Sequence, residues 1–336
     1  MKTVLITGAS GMDGSILSEK YLEKGWDVIG IDRWNPTGLR PNLINCTGNE
    51  KFTLETGDIT DKHFMEQMIK KYQPDHMYNM AAISLVPESF KIPTVVFETN
   101  TLAVLNMLES IRYHSPHTRF YQASTSEQIG ENTQKLQNTE SKMLPTSPYA
   151  IAKLASYHLV RLYRKAYGIF GVNGMLWNHE GPRRGRDFVT RKISLAIARI
   201  KHGKQDIVSL GNLDSFRDWG LANDYCEAMM MMLEADEPDD YAVATGETHS
   251  VREFVEHAFD AAGYKITWEG EGLNEVGKDQ DGIVRVTINE RYYRPSDVLY
   301  LHGDPSKIKE KLGWEPKTKF KELVTMMVES DAEGEK

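Results

Sequence analysis

The chain has 336 residues, 40% of them hydrophobic and 26% charged, with a net charge of −8 at neutral pH. This describes a globular protein of one large or two unequal domains with ample core, and its acidity argues against nucleic acid as the main partner. Its two cysteines, Cys46 and Cys226, lie far apart, which fits reduced thiols in a cytoplasmic setting and neither a disulfide framework nor a metal site. We read no signal peptide before the first strand, and no apolar run approaches the roughly 18 residues that a membrane span needs, so no membrane partner is expected.

The first residues, Lys2-Thr3-Val4-Leu5-Ile6-Thr7, form an apolar, β-branched run that ends in Gly8-Ala9-Ser10-Gly11-Met12-Asp13-Gly14. An amphipathic stretch comes next, so the pattern reads strand, turn, helix. Gly8 would make the tight turn, Gly11 would let a pyrophosphate approach the backbone, and Gly14 would let the helix pack close to the strand. The helix N-terminus then faces the phosphates. A second strand, residues 26–31, closes the βαβ unit and leads into Asp32-Arg33. A carboxylate at this point pairs with the ribose hydroxyls of NAD, whereas an arginine accommodates the extra phosphate of NADP. Both are present. NADP is expected if Arg33 faces the ribose, and Asp32 keeps NAD open.

Residues 52–59 read as a strand ending in a turn, 61–73 as a helix, 76–80 as a strand, 95–111 as a helix and 119–123 as another strand. Repeated βαβ units imply an α/β fold, a Rossmann-type doubly wound parallel sheet with ligands at the carboxyl ends of its strands. Asp58, Ile59, Met80, Ala81, Ala82 and the segment Ala123-Ser124-Thr125 fall at such ends and should ring a dinucleotide. The expected division is a dinucleotide-binding domain over 1–178 and a smaller, mainly C-terminal α/β substrate domain over 179–330. About 211–250 would return to the first domain, and 331–336 would be a frayed polar tail. The run Met229-Met230-Met231-Met232 points all round a helix, which favours packing over metal binding.

Chemistry concentrates in Ser147-Pro148-Tyr149-Ala150-Ile151-Ala152-Lys153. On a helix Tyr149 and Lys153 share a face, where an ammonium lowers the phenol's pKa and fits it to exchange a proton with a sugar hydroxyl. Tyr-x-x-x-Lys also occurs on ordinary amphipathic helices, so the neighbours matter. Thr125 can share a substrate hydroxyl with Tyr149, and Glu127 adds a second acid/base about one sugar carbon further along. Such a carboxylate suits dehydration: oxidising C4 of a sugar acidifies the C5 hydrogen, and Glu127 could take that proton and deliver it to a departing C6 hydroxyl.

Taken with Tyr121-Gln122-Ala123-Ser124-Thr125-Ser126-Glu127, Asn178-His179-Glu180, Pro182-Arg183-Arg184-Gly185, Phe188-Val189-Thr190-Arg191-Lys192, Arg217-Asp218-Trp219-Gly220 and Tyr293-Arg294-Pro295, these motifs resemble the GDP-mannose 4,6-dehydratases. That family belongs to the extended short-chain dehydrogenase/reductase group, and the resemblance covers essentially the whole chain. It implies tightly held NADP, with Arg33, Tyr149, Lys153, His179 and Arg184 helping to hold it. It also implies a GDP-sugar site built from Ser84, Thr125, Glu127, Asn178, Val189, Lys192, Arg217, Arg294 and Asp297, the last in place of the family's usual glutamate. Arg183, Arg184, Arg191 and Lys192 read as one cationic cluster for phosphates. A homodimer through the helices around 95–111 and 156–167 is implied, or a homotetramer paired again through 35–49.

The chain departs from the family at Ile83, Leu85, Ile129 and Gly181, where polar side chains, a tyrosine and a serine are usual. A more apolar and smaller lining could fit a larger group at C6, which leaves GDP-D-glycero-D-manno-heptose as the alternative sugar. A GDP-sugar 4-reductase or epimerase would share the fold, Tyr149 and Lys153 but would not need Glu127. A dinucleotide-binding regulator or structural subunit would need none of Thr125, Glu127, Tyr149 and Lys153.

Overall fold

The first strand, β1 (Thr3–Thr7), is apolar without alternation because both of its faces are covered: Val4, Leu5 and Ile6 have no exposed surface. The computed structural model describes residues 2–131, 134–293 and 298–336. They divide into two compact units, the first comprising 1–176, 222–243 and 304–315, the second 177–221, 244–303 and 316–336.

In chain order β1 is followed by α1 (Met12–Glu23), β2 (Asp27–Asp32), β3 (Phe52–Thr56), α2 (Lys62–Tyr72) and β4 (His76–Asn79). Next come α3 (Val86–Ser89), α4 (Pro93–Phe97), a π-helical turn at Glu98–Leu102, and α5 (Ala103–His114). The strand β5 (Arg119–Thr125), the long helix α6 (Pro148–Tyr167) and β6 (Gly171–Leu176) complete this stretch. The chain then builds β7 (Asn178–Glu180), α7 (Val189–Lys201), β8 (Val208–Leu210), β9 (Phe216–Arg217) and β10 (Trp219–Leu221). It returns to the first unit for α8 (Ala222–Glu234) and β11 (Asp240–Val243). The second unit resumes with β12 (His249–Ser250), α9 (Val251–Ala261), β13 (Thr267–Glu269), β14 (Val276–Lys278) and β15 (Val284–Ile288). Helix α10 (Ser306–Leu312) belongs to the first unit and α11 (Phe320–Gly334) to the second.

Among the described residues the first unit holds one parallel sheet in the order β11-β6-β5-β4-β1-β2-β3. Successive residues of β1 enter opposite cores. Val4 and Ile6 join Val28, Tyr78, Tyr121 and the α8 methionines, whereas Leu5 joins Ile29, Met77, Phe120 and residues of α2, α5 and α6. This is the doubly wound arrangement that the repeated βαβ pattern implies. Met229, Met230 and Met232 are buried in the first of those cores, so the methionine run is packing.

In the second unit β13, β14, β15 and β8 form a sheet, β7 pairs with β10, and β9 pairs with β12. Its core gathers the apolar faces of α7, α9 and α11 around Trp219, with Phe320 stacked on that ring.

Four expectations are corrected. The first unit takes back 222–243 and 304–315, while 211–221 and 244–250 stay in the second. The helix expected over 95–111 is three pieces, because Pro93 starts a short helix and the π turn offsets α5 from it. The polar tail is not frayed: α11 runs to Gly334, and the buried carboxylate of Asp331 binds Arg191 at 2.6 Å and accepts from Ser194 Oγ at 2.6 Å. Ile129, read as pocket lining, has no exposed surface and belongs to the interior.

Candidate active site

The glycine turn is sterically compelled. Gly8 has φ +66°, and a Cβ there would lie 2.9 Å from the Ala81 nitrogen, tighter than real Cβ contacts. A Cβ on Gly14 would overlap the Gly8 carbonyl oxygen and lie 2.9 Å from Ala9 Cα. Gly11 caps α1 in an extended conformation and donates its N–H to Gly8 O at 2.9 Å, while Met12 and Asp13 form the helix's first turn. This bare-backbone turn before a helix N-terminus is the cradle that a dinucleotide pyrophosphate requires.

A buried polar chain along the strand ends escaped the sequence reading. Thr7 Oγ1 accepts the N–H groups of Met80 and Ala81, each at 3.1 Å, and donates to Asn79 Oδ1 at 2.8 Å. Asn79 donates to Gln122 Oε1 at 2.9 Å, Gln122 to Ala123 O at 3.1 Å, and Lys153 Nζ to the same carbonyl at 2.9 Å. The chain thus links the glycine turn through β4 and β5 to the lysine of α6. The signal was present: Thr7, Asn79 and Gln122 are polar residues on strands buried on both faces, where such groups need partners.

Helix α6 is started by Ser147, whose Oγ accepts the Ala150 N–H at 3.1 Å, with Pro148 in the first turn. Tyr149 and Lys153 are both buried, and Lys153 Nζ lies 6.0 Å from the Tyr149 ring centroid. Burial pulls the Lys153 ammonium down to about 8, from an ordinary 10.5. It still carries its charge at neutral pH and acts on the phenol through a water-poor medium. Thr125 ends β5, and its Oγ1 accepts the Glu127 N–H at 3.2 Å, which fixes the turn that presents Glu127, itself half-buried.

Asn100, in the π turn, is a second residue the sequence reading missed. Its buried amide donates to Ile83 O and accepts from Ile83 N, both at 2.9 Å, and its carbonyl accepts Ser156 Oγ of α6 at 2.6 Å. The loop carrying Ala82, Ile83 and the exposed Ser84 is thereby tied to the helix of Tyr149. Asp58 shapes the β3 turn by accepting Thr60 N and Oγ1, and Ile59 is buried beside it. At the end of β2, Asp32 accepts Arg33 N at 3.0 Å and pairs with Arg40 Nε at 2.9 Å.

The remaining described candidates lie in the second unit. Asn178 opens β7, and the next residue, His179, is buried with its Nδ1 2.9 Å from Trp177 O. Arg184 pairs with the buried Glu180 at 2.9 Å and lies 3.5 Å over the Phe188 ring; Glu180 also accepts Thr190 Oγ1. Val189 begins α7. Lys192 donates to Ser209 O at 2.6 Å and sits over Tyr292, with its pKa lowered by burial. Arg217 is buried in β9 and donates to Phe216 O. The adjacent Asp218 accepts Thr245 N and Oγ1, Gly246 N and Gly303 N; burial nonetheless pushes it up to about 6. Within the expected cation cluster, Arg184 pairs with Glu180 and Arg191 with Asp331. Arg294 and Asp297 lie outside the described residues.

A parallel Rossmann-type sheet with a glycine turn after β1 and Tyr149 and Lys153 on α6 defines an extended short-chain dehydrogenase/reductase. Among solved structures, the dTDP-glucose 4,6-dehydratase of Bacillus anthracis in complex with NAD superposes with a TM-score of 0.83 at 21% identity, covering 100% of this chain and 98% of that one, a likeness of fold. A family model described as GDP-mannose 4,6 dehydratase matches residues 5–327. The Homo sapiens GDP-mannose 4,6 dehydratase is 45% identical over 340 residues, covering 98% of this chain and 91% of that protein. The Drosophila melanogaster GDP-mannose 4,6 dehydratase is 45% identical over 341 residues, covering 99% and 86%. The chain belongs to the GDP-mannose 4,6-dehydratase family.

Proposed function

We propose that the protein removes water from GDP-D-mannose to give GDP-4-keto-6-deoxy-D-mannose, with NADP as its tightly held dinucleotide. The observation that carries the reading is that one unit holds Tyr149 and buried Lys153 on α6 together with Thr125 and Glu127 at the end of β5. The glycine turn fits the dinucleotide: a Cβ at Gly8 would strike the Ala81 backbone and one at Gly14 the Gly8 carbonyl, so only bare backbone can form the tight turn before the helix N-terminus that a pyrophosphate needs. Gly8, Gly11, Met12, Asp13, Gly14, Asp32, Arg33, Asp58, Ile59, Met80, Ala81, Ala82, Tyr149 and Lys153 would hold the dinucleotide, and His179 and Arg184 are assigned to it by the family resemblance. When bound, it would supply a reversible hydride acceptor, so that oxidation at C4 and reduction at C6 need no external redox partner.

The protein's own part is proton handling. Tyr149, with the Lys153 ammonium 6.0 Å from its ring, accepts the C4 hydroxyl proton while Thr125 holds that hydroxyl. Glu127 takes the C5 proton, made acidic by the C4 carbonyl, and passes it to the C6 hydroxyl, which leaves as water. Reduction at C6 is completed by a proton at C5, which balances the one Tyr149 received. Ser84, Asn178, Val189, Lys192, Arg217, Arg294 and Asp297 are assigned to the GDP-sugar. A cytoplasmic homodimer is part of the proposal, supported by the exposed apolar residues Val95, Phe97, Leu102, Ile151 and Leu162 on neighbouring helices of the first unit. Among the described residues no helix is long and apolar enough to cross a membrane.

The test is mass spectrometry of the purified protein with GDP-D-mannose and, separately, GDP-D-glycero-D-manno-heptose. Loss of one water from GDP-mannose is expected. In Glu127→Gln the rate should fall by about 10²- to 10⁴-fold, with NADP affinity unchanged. Near-normal turnover by that variant, or water loss from the heptose alone, would overturn the assignment.

A further inference from the structure

The end of β2 carries a residue that argues against NADP. A carboxylate at this position pairs with the ribose hydroxyls of NAD and repels the 2′-phosphate of NADP. Asp32, however, is not presented as a bare carboxylate. Its Oδ1 accepts the Arg33 N–H at 3.0 Å, and its Oδ2 pairs with Arg40 Nε at 2.9 Å. The pair is largely withdrawn from solvent, with side chains 19% exposed for Asp32 and 15% for Arg40. Arg40 also donates Nη2 to the Arg33 carbonyl at 2.9 Å, so it grips both residues of the dipeptide.

The loop is built to bring Arg40 there. Asn35 Oδ1 accepts both N–H and Oγ1 of Thr37, and Asn35 Nδ2 donates to Leu39 O at 2.9 Å, which folds residues 35–39 into a closed turn. Just beyond, Asn42 Nδ2 donates to Ser10 O at 3.0 Å and fastens the returning chain to the glycine turn. Arg33 is exposed, and among the described residues its guanidinium makes no ion pair. Asp32, Arg33 and Arg40 together therefore leave one net positive charge where the adenosine ribose lies in this fold.

We infer that Arg40 is a specificity-determining residue: by neutralising Asp32 it converts a site of NAD type into one that accepts a dinucleotide with a 2′-phosphate, leaving the Arg33 guanidinium for that phosphate. This rests on the dinucleotide reading above. Arg40 makes the carboxylate a fixed structural group, and the anion it would otherwise repel is then met by an uncompensated cation.

The experiment is calorimetric titration of the nucleotide-stripped protein with NADPH and with NADH, which measures binding without turnover. The wild type should favour NADPH. Arg40→Gln should weaken NADPH about 10- to 100-fold while leaving NADH within a factor of a few. Adding D32N to R40Q should recover most of the NADPH affinity, because the exposed like charge is then gone, and Arg40→Lys should keep the preference. An unchanged NADPH-to-NADH ratio in a folded R40Q, or no recovery in R40Q/D32N, would overturn the inference. A wild type that binds neither dinucleotide would sink the functional reading itself, whereas binding of both with R40Q indifferent sinks only the role of Arg40.

Discussion

Replacing Lys153 by methionine should make the protein more stable at neutral pH and inactive. Lys153 is 4% exposed, and its pKa stands at about 8 against an ordinary 10.5. Keeping the ammonium in that environment costs about 3 kcal/mol relative to water. Methionine keeps much of the volume without the charge, and the Ala123 carbonyl is not orphaned because Gln122 Nε2 still donates to it at 3.1 Å. With the lost hydrogen bond deducted, Lys153→Met should gain about 1–3 kcal/mol at pH 7. The pH dependence fixes the cause. Above about pH 8 the native lysine releases its proton, whereas the unfolded chain keeps it to 10.5, so the unfolded state binds more protons in that window and wild-type stability rises with pH. The gap between variant and wild type should therefore narrow by about 2 kcal/mol between about pH 7 and about pH 9.5. Urea denaturation at both pH values, extrapolated to water, measures it. A variant less stable than wild type at pH 7, or a gap that does not move with pH, would refute the reasoning.

Two further substitutions test the frame of the site. Gly14→Ala places a methyl against the Gly8 carbonyl and should cost about 1–3 kcal/mol of stability while opening the cradle; dinucleotide affinity in calorimetry should drop at least about tenfold, and unchanged binding would contradict the cradle. Asp331→Asn removes the charge that compensates Arg191 and should cost about 3–5 kcal/mol in urea denaturation. A change near zero would restore the reading of 331–336 as a loose tail.

The features legible in the sequence were those that short-range physics governs. The glycine turn could be read because only glycine tolerates φ +66° at position 8 or the close approach at 14, and Tyr149 and Lys153 because helix geometry alone places them on one face. The doubly wound sheet could be inferred from the repeated alternation of strands and helices. Features that could not be read depend on partners distant in sequence. The chain from Thr7 through Asn79 and Gln122 to Lys153 spans four elements. The π turn that presents Asn100 has no composition signature, so a continuous helix was the natural expectation.

The cations of the second unit show the same limit with a chemical consequence. Arg183, Arg184, Arg191 and Lys192 are neighbours in the chain, and as bare sequence they sum to a strong anion site. In the fold Glu180 pairs with Arg184, Asp331 pairs with Arg191 from far along the chain, and Lys192 donates to the Ser209 carbonyl and lies over the Tyr292 ring. A buried carboxylate beside a guanidinium lowers the net charge at that point but leaves the other N–H donors of the fork for a ligand. Asp32 and Arg40 do the reverse, since there it is the carboxylate that is cancelled. Charge in this protein is thus set by pairing across loops. Net charge near a ligand must be counted after the pairs are removed, which is why a chain of net charge −8 can still offer an anion-accepting end to β2.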